Sequence, residues 1–251
     1  MTRCCLTVPL AIATVNRTCH TMSQITLNII AVSVFSVTML ILLGPLLSIS
    51  PEGLAVVTAA LLGMVGLDQL GWQGRGGTLL IDWLSQRSPD YCDRIVRHEA
   101  GHFLTAYVLG IPIDAYTLTA WEALQSGVDG NGGVIFKTDA IDRAVAAGKI
   151  SQREIDRYCT VWMAGIAAEE MVYGNALGGR EDRLRLNLLW QQMNRPLAEV
   201  PLKQRWSTLQ AKNLIEKQAD AYGVLVEAMT ERRPVSECCD LIEQHLKTAE
   251  V

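Results

Sequence analysis

Residues 90–109 read DYCDRIVRHEAGHFLTAYVL, and the helix that they predict is the element around which the rest of the chain is interpreted. Apolar and histidine side chains recur here at steps of three and four residues, the spacing of one helix face. Ser88 or Asp90 is suited to cap this helix, and Pro89 suits its first turn. The residues of the shared face are Tyr91, Ile95, His98, His102, Ala106 and Leu109. We therefore predict a helix that turns both histidines toward the interior.

The helix contains the motif His98-Glu99-Ala100-Gly101-His102, which uses two of the four histidines of the chain. Residues four apart lie one turn above each other, so both imidazoles can reach one metal ion. HExxH on a helix is typical of zinc metallopeptidases, in which the glutamate is the general base. The sequence thus predicts His98 and His102 as Zn²⁺ ligands and Glu99 as the catalytic residue. The alternative is a pair of hydrogen-bonded core histidines beside a surface glutamate.

A third protein ligand has to come from elsewhere, because Thr105 and Val108 stand where an HExxHxxGxxH extension would need glycine and histidine. On a helix that begins near residues 178–184, Asp182 heads the apolar, inward face. We therefore predict Asp182 as the third metal ligand. Its alternative role is an acid of the first turn, favoured by the helix dipole. The other candidate ligands are Glu181, Glu169 and Glu170.

A second long helix is predicted over residues 151–173, which begin with a capping box. Small residues in this helix would let it approach the HExxH helix closely. Glu169 or Glu170 would then accept a hydrogen bond from the outer nitrogen of a ligand histidine. The alternative is that both acids are solvated. The small residues are Ala164, Gly165, Ala167 and Ala168.

The remaining pattern predicts a small β-hairpin and further helices. Residues 113–119 and 133–136 are predicted strands joined by a long loop. The first strand would present an edge to which an extended substrate adds, or would be only part of a structural hairpin. Helices are predicted over residues 181–194, 203–231 and 235–248, the second of them broken within its length. The predicted breaks between helices are Pro196, Pro201 and Pro234.

Composition excludes some classes of function. The net charge is -4, so the chain shows no basic footprint for nucleic acid. Its seven cysteines form no CxxC pair and are odd in number, which argues against a cysteine zinc site and a disulfide framework. The cysteines are therefore interpreted as reduced thiols.

An apolar segment precedes the polar part of the chain. Residues 25–47 carry no charge, and 23 residues at about 1.5 Å each give roughly 35 Å, enough to cross a bilayer. Residues 53–72 form a second, weaker apolar stretch. We predict two transmembrane helices over residues 25–72, followed by a linker over residues 73–89. The alternatives are a cleaved signal peptide for the first stretch and a buried helix for the second.

Basic residues lie outside the predicted hairpin, at Arg17, Arg75 and Arg87, and none lies in its connecting loop. The positive-inside rule then predicts an integral membrane protein with its polar domain on the cytosolic side. Residues 1–24 are interpreted as an N-terminal extension, either a targeting segment or an overextended start.

Three segments resemble signatures of the FtsH family of membrane-bound, ATP-dependent zinc proteases. Residues 97–102 resemble the first signature, and residues 164–170, followed by Gly174, resemble the second. Residues 179–184 resemble the segment that supplies the aspartate ligand of the family. The resemblance covers roughly residues 90–250. It implies a helical zinc peptidase domain, and a two-span anchor ahead of it also fits the family.

Two departures from the family matter. The family has aspartate directly before leucine, whereas here Arg183 precedes Leu184 and Asp182 is one place earlier. The family also places an ATPase module between membrane and peptidase, but this chain has no GxxxxGK[ST] loop, since residues 71–78 lack the lysine. Relatives without the ATPase occur in photosynthetic organisms, which makes a thylakoid or plastid membrane, with the domain on the stromal side, the alternative location.

The predicted fold is therefore mainly α: an N-terminal transmembrane hairpin followed by a helical zinc peptidase domain, residues 90–251, with a small β-hairpin. The predicted function is ATP-independent, zinc-dependent cleavage of unfolded or membrane proteins. The alternative is a non-catalytic pseudopeptidase that assists a full-length FtsH-type protease. Expected partners are a protein or peptide substrate, the membrane, and either further copies of the chain or such a protease, but neither nucleic acid nor ATP.

Overall fold

The computed structural model describes residues 24–43, 50–71, 89–127 and 133–246. Helices account for most of them, which confirms the mainly α class. The helices are α1 Gln24–Leu43, α2 Pro51–Gly71, α3 Pro89–Val108, α4 Ala120–Gln125, α5 Asp139–Ala146, α6 Gln152–Tyr173, α7 Arg180–Gln192, α8 Val200–Lys217, α9 Ala219–Thr230 and α10 Val235–His245, with a 3-10 turn at Leu197–Glu199. The strands are β1 Ile113–Thr117 and β2 Gly133–Phe136.

The chain divides into two compact units, Met1–Gly71 and Trp72–Val251. In the first unit, α1 and α2 form at the two predicted apolar stretches and contact each other. Several of their large apolar side chains, such as those of Val32, Phe35 and Leu67, are more than half exposed. Of the predicted N-terminal extension, residues 1–24, and of the predicted linker, residues 73–89, only the last residue of each is among the described residues.

The predicted transmembrane hairpin is not supported. Among the residues that the structure describes, no helix is both long enough and apolar enough to span a bilayer. The physical requirement is an apolar run of about 20 residues.

The second unit is built on the pair α3 and α6, which pack against each other along much of their length. α8 packs on α6, and α9 packs on α3 and on α10. One apolar cluster joins α3 and α6 to α8, α9 and α10 through residues such as Phe103, Leu225 and Ile242. A second lies between α6 and α7 and includes Trp162 and Leu186. The site described below lies where α3, α6 and α7 meet.

The close approach of α3 to α6 depends on residues without bulk. A Cβ on Gly101 would lie 2.7 Å from the backbone oxygen of Ala164 and 2.8 Å from the Cβ of Ala168, distances too short for a real contact. The prediction that small residues would let these helices approach closely is therefore confirmed. α6 begins with the predicted capping box between Ser151 and Glu154.

The two strands form the predicted hairpin, antiparallel, with Ile113 opposite Phe136 and Thr117 opposite Gly133. β1 ends two residues earlier than predicted, because Thr119 caps α4 by accepting a hydrogen bond from the Glu122 N–H at 3.0 Å. The predicted long loop thus contains a helix. Neither α4 nor α5 is predicted by the periodic pattern, since both are shorter than three turns.

The helix breaks differ from the prediction at one proline. Pro201 does not interrupt a helix but lies in the first turn of α8, where its missing N–H has no intrahelical partner to lose. The predicted helix over residues 203–231 is broken within its length, at Gln218, as expected. Pro234 precedes α10 and so marks a true break.

Candidate metal centre

The two histidines of the motif lie on the buried face of α3, with 8% of His98 and 4% of His102 exposed. Nδ1 of His102 lies 2.7 Å from the backbone oxygen of Val161 in α6. A carbonyl oxygen only accepts, so this contact assigns a proton to Nδ1 and leaves Nε2 facing Asp182. His102 is therefore oriented and in the tautomer that a metal ligand needs.

Asp182 approaches both histidines from the first turn of α7. Its Oδ2 lies 3.3 Å from Nε2 of His98 and 3.5 Å from Nε2 of His102, and the side chain is buried. Gly179 precedes the helix with φ at +81°, a conformation that favours glycine, and this sharp entry into α7 brings Asp182 to the site. One ligand atom from each residue lies within 4.8 Å of the others.

The backbone of α6 lies close to the two ligand nitrogens at Gly165. A Cβ on Gly165 would lie 2.6 Å from Nε2 of His102 and closer still to Nε2 of His98. Any side chain at position 165 would thus clash with both imidazoles, so glycine is required for this close approach of α6. Two imidazole nitrogens and one carboxylate oxygen are a donor set that zinc accepts in catalytic sites, with a fourth position for water. The residues present fit a zinc ion.

Glu169 lies behind His98 and is almost completely buried, with 1% exposed. Its Oε1 lies 2.7 Å from Nδ1 of His98 and accepts a hydrogen bond from the Gly178 N–H at 3.1 Å. Its Oε2 accepts from Arg94 and from the Leu177 N–H, both at 2.9 Å. Glu169 thus orients His98 and ties it to α6 and to the segment that leads into α7.

The charges around His98 favour a cation. Burial lowers the pKa of His98, but its hydrogen bonds to Asp182 and Glu169 outweigh burial and raise the pKa to about 10. Burial raises the pKa of Glu169, yet the hydrogen bonds from His98, the Leu177 N–H and Arg94 lower it to about 2. Asp182 behaves in the same way: burial raises its pKa, and contacts with His102 and His98 bring it well below the usual range. Two ionised carboxylates therefore flank the imidazole.

Glu99 follows His98 on α3 and is half-buried. Its Oε2 accepts a hydrogen bond from the backbone N–H of Val134 at 3.0 Å. The Val134 N–H donates to Glu99 and therefore points away from β1. The outer edge of β2 thus lies beside Glu99. The edge next to the motif therefore belongs to β2, whereas the predicted substrate edge was that of the strand over residues 113–119.

The structure brings together all three predicted ligands. The other three candidate acids lie in different surroundings. Glu169 contacts a ligand histidine, whereas Glu170 is exposed on α6. Glu181 is exposed beside Asp182 and does not belong to the group of possible metal ligands among the described residues. The one-residue shift of the aspartate relative to the family pattern thus still brings a carboxylate to the histidines.

Several groups at the site were not predicted. Arg94 lies one helical turn before His98, and that i, i+4 spacing was a signal that could have found it. The Val161 carbonyl and the N–H groups of Val134, Leu177 and Gly178 belong to the backbone, and no side-chain pattern identifies them. Gly165 was predicted as a small packing residue, and its position in front of both imidazoles is a further role.

Comparison with known proteins adds no assignment. A scan against models of protein families and a search of curated proteins each return no match for this chain. The interpretation of the site therefore rests on the motif and on the geometry of its side chains.

Proposed function

We propose that this chain is a membrane-attached zinc metalloendopeptidase that works without ATP and resembles the peptidase domain of the FtsH family. The observation that carries the proposal is the convergence of His98, His102 and Asp182 on one buried point beside the glutamate of an HExxH motif. Two histidine ligands of fixed orientation and one ionised carboxylate would hold Zn²⁺. When bound, zinc would lower the pKa of a water molecule and polarise a peptide carbonyl.

Glu99 would be the general base, since it follows the ligand His98 directly in the HExxH motif. The peptide would bind as an added strand along the outer edge of β2. A backbone carbonyl of the bound peptide would then accept the hydrogen bond that the Val134 N–H donates to Glu99 in this structure. Release from that hydrogen bond would leave Glu99 free to accept the proton of the attacking water. Substrate binding and activation of the base would thus be coupled.

Membrane attachment is part of the proposal and would be provided by the N-terminal unit. The described large apolar side chains of α1 and α2 are mostly exposed, among them Phe35, Leu42 and Val56. Exposed apolar surface of this extent usually marks a membrane or protein contact. The cytosolic side, or the stromal side of a plastid or thylakoid membrane, is where the polar domain would work.

A second candidate function is a non-catalytic partner of a full-length FtsH-type protease. The observation that favours it is the hydrogen bond between Glu99 and Val134, which occupies the expected base. In that case the metal site would have a structural role only, and Glu99 would serve to attach β2 to α3.

The deciding experiment compares the full-length wild type with Glu99→Gln on a fluorogenic unfolded protein such as casein, with added zinc. The amide has the same shape but cannot accept the proton, so we expect a rate loss of about 100-fold to 10,000-fold with unchanged zinc content. His98→Ala should instead lose the zinc itself. Equal rates for wild type and Glu99→Gln, insensitive to a chelator, would overturn catalysis and favour the non-catalytic partner.

A further inference from the structure

One arginine contacts two different parts of the chain that build the metal centre. Arg94 lies on α3 one turn before His98, and its side chain is 18% exposed. Its Nη1 donates to Oε2 of Glu169 at 2.9 Å and to the backbone oxygen of Asn175 at 3.1 Å. Both Nη1 and Nη2 lie 3.3 Å from Oδ1 of Asn175. One guanidinium thus holds the carboxylate behind His98 and the segment between α6 and α7.

The guanidinium is itself held in one orientation. Its Cζ lies 4.1 Å from the centroid of the Tyr173 ring, at the end of α6. The Tyr173 hydroxyl donates to Oδ2 of Asp93, which fixes the ring against α3. A planar guanidinium can stack on an aromatic face and donate hydrogen bonds from its edge at the same time. The contacts of Arg94 are therefore specific to arginine.

Glu169 and the segment over residues 175–179 hold each other. The two oxygens of Glu169 accept backbone N–H groups of this segment at 2.9 Å and 3.1 Å. A Cβ on Gly178 would lie 2.7 Å from Oε1 of Glu169, so the segment approaches this closely only with glycine. The segment continues directly into α7, whose first turn carries Asp182. The position of His98 thus depends on Glu169, and that of Asp182 depends on the segment.

We propose that Arg94 is a positioning residue of the metal centre. It keeps Glu169 in contact with His98. It also fixes residues 175–179, which lead to Asp182. Two of the three metal ligands therefore depend on one cation that acts through their partners, because the groups that orient both ligands share the same guanidinium.

The third ligand has an independent support. Nδ1 of His102 contacts the backbone oxygen of Val161, in the interior of α6. The contribution of Arg94 is therefore to complete the set of ligands and not to orient all of them. This inference rests on the metal-binding part of the proposed function and does not require that Glu99 act as a base.

The competing interpretation is an ion pair that only attaches α3 to α6. Exposed ion pairs contribute little, but the side chains of Arg94 and Glu169 are 18% and 2% exposed. The other oxygen of Glu169 lies 2.7 Å from Nδ1 of His98. An ion pair that only attaches the helices would affect stability alone, whereas a positioning residue affects metal affinity and the geometry of the ligands.

The test is Arg94→Lys in the full-length protein, with Zn²⁺ as the probe. Lysine keeps the positive charge near the metal. Its single ammonium group does not reproduce the planar fork that reaches both Glu169 and Asn175, or the flat contact with Tyr173. We expect the zinc affinity to fall by about tenfold, the lower end of the loss when partners of metal-bound histidines are removed. Competition with a zinc-sensitive dye measures it.

Arg195→Lys is the matched control. The Cζ of Arg195 lies 5.4 Å from the centroid of the Trp190 ring, and its Nη2 donates to Oε1 of Gln152 at 3.0 Å. Arg195 thus stacks and donates like Arg94, but with residues outside the metal centre. Its substitution should leave zinc affinity at the wild-type value. Circular dichroism and thermal unfolding of the metal-free proteins check the fold and measure the stability of both variants separately from affinity.

Two further measurements show whether Arg94 acts through Glu169. In the double variant Arg94→Lys and Glu169→Gln, the combined loss of zinc affinity should be clearly smaller than the product of the two single losses. Co²⁺ in place of zinc reports the arrangement of the ligands through its visible absorption. We expect Arg94→Lys to change the bands at saturating Co²⁺ and Arg195→Lys to leave them as in the wild type.

Three results would overturn the inference and leave the proposed function intact. The first is wild-type zinc affinity in Arg94→Lys. The second is a combined loss equal to the product of the single losses, which would show that Arg94 acts independently of Glu169. The third is a lower affinity with an unchanged Co²⁺ spectrum, which would mean that the ligands have kept their positions. A wild-type protein that binds no zinc would instead overturn the metal site and both proposals with it.

Discussion

Glu169 and Glu170 are neighbours in the chain with opposite environments, and they offer a matched pair of substitutions. Glu169 is buried and bonded to His98, whereas Glu170 is exposed. We expect Glu169→Gln to lower zinc affinity by about 10-fold to 100-fold, because His98 loses the acceptor that fixes its orientation and its basicity. Glu170→Gln should leave the affinity unchanged. Competition with a zinc-sensitive dye measures both variants, and equal affinities would contradict the assigned role of Glu169.

Protonation of His98 makes metal affinity depend on pH. The pKa of His98 is raised to about 10 without a metal, so the imidazole carries a proton at neutral pH that a metal ion has to displace. Affinity should therefore rise with pH, by about tenfold per unit for this proton, and level off only near the pKa. Calorimetry between about pH 6 and pH 8 measures it. An affinity that stays flat over this range would contradict the charged state assigned to His98.

At the scale of elements, the contact between α3 and α6 couples packing to metal binding. Gly165→Ala would place a methyl group against the ligand nitrogens of His98 and His102. We expect the variant to lose zinc binding by at least about 10-fold, while overpacking costs roughly 1–3 kcal/mol of stability. Zinc content and thermal unfolding measure the two effects.

The control for this substitution is Gly223→Ala in α9, where a Cβ meets no atom within 4 Å. Alanine has the higher helix propensity by up to about 1 kcal/mol, so this variant should be neutral or slightly more stable and should bind zinc normally. Loss of zinc from both variants would show that the effect is not local to the site.

Across the whole molecule, the absence of a phosphate-binding loop from the sequence has a direct consequence. No GxxxxGK[ST] segment occurs, and residues 71–78 lack the lysine that would reach the phosphates. Hydrolysis of an unfolded reporter by the pure protein should therefore proceed at the same rate with and without ATP, and a folded reporter should resist cleavage. Activity that depends on ATP in the absence of any other protein would contradict this expectation.

Local pattern alone was sufficient for the elements that dominate the site. The observed bounds of α3 and α6 lie within a residue or so of those predicted, because both helices are long and strongly periodic and α6 is capped at both ends. The same periodicity correctly predicted that Asp182, and not Glu181, faces the interior. Periodicity did not predict α4 or α5, because a helix of fewer than three turns is too short to show a clear repeat.

By itself, the sequence determined the motif, the two facing helices and the three residues whose side chains converge. Only the tertiary structure decided how these residues are held: Glu169 rather than Glu170 at His98, the Val161 carbonyl at His102, and the β2 edge at Glu99. The physical reason is that these contacts join segments far apart in the chain and use backbone groups. Every residue other than proline carries the same N–H and C=O, so their positions leave no mark in the sequence until the chain is folded.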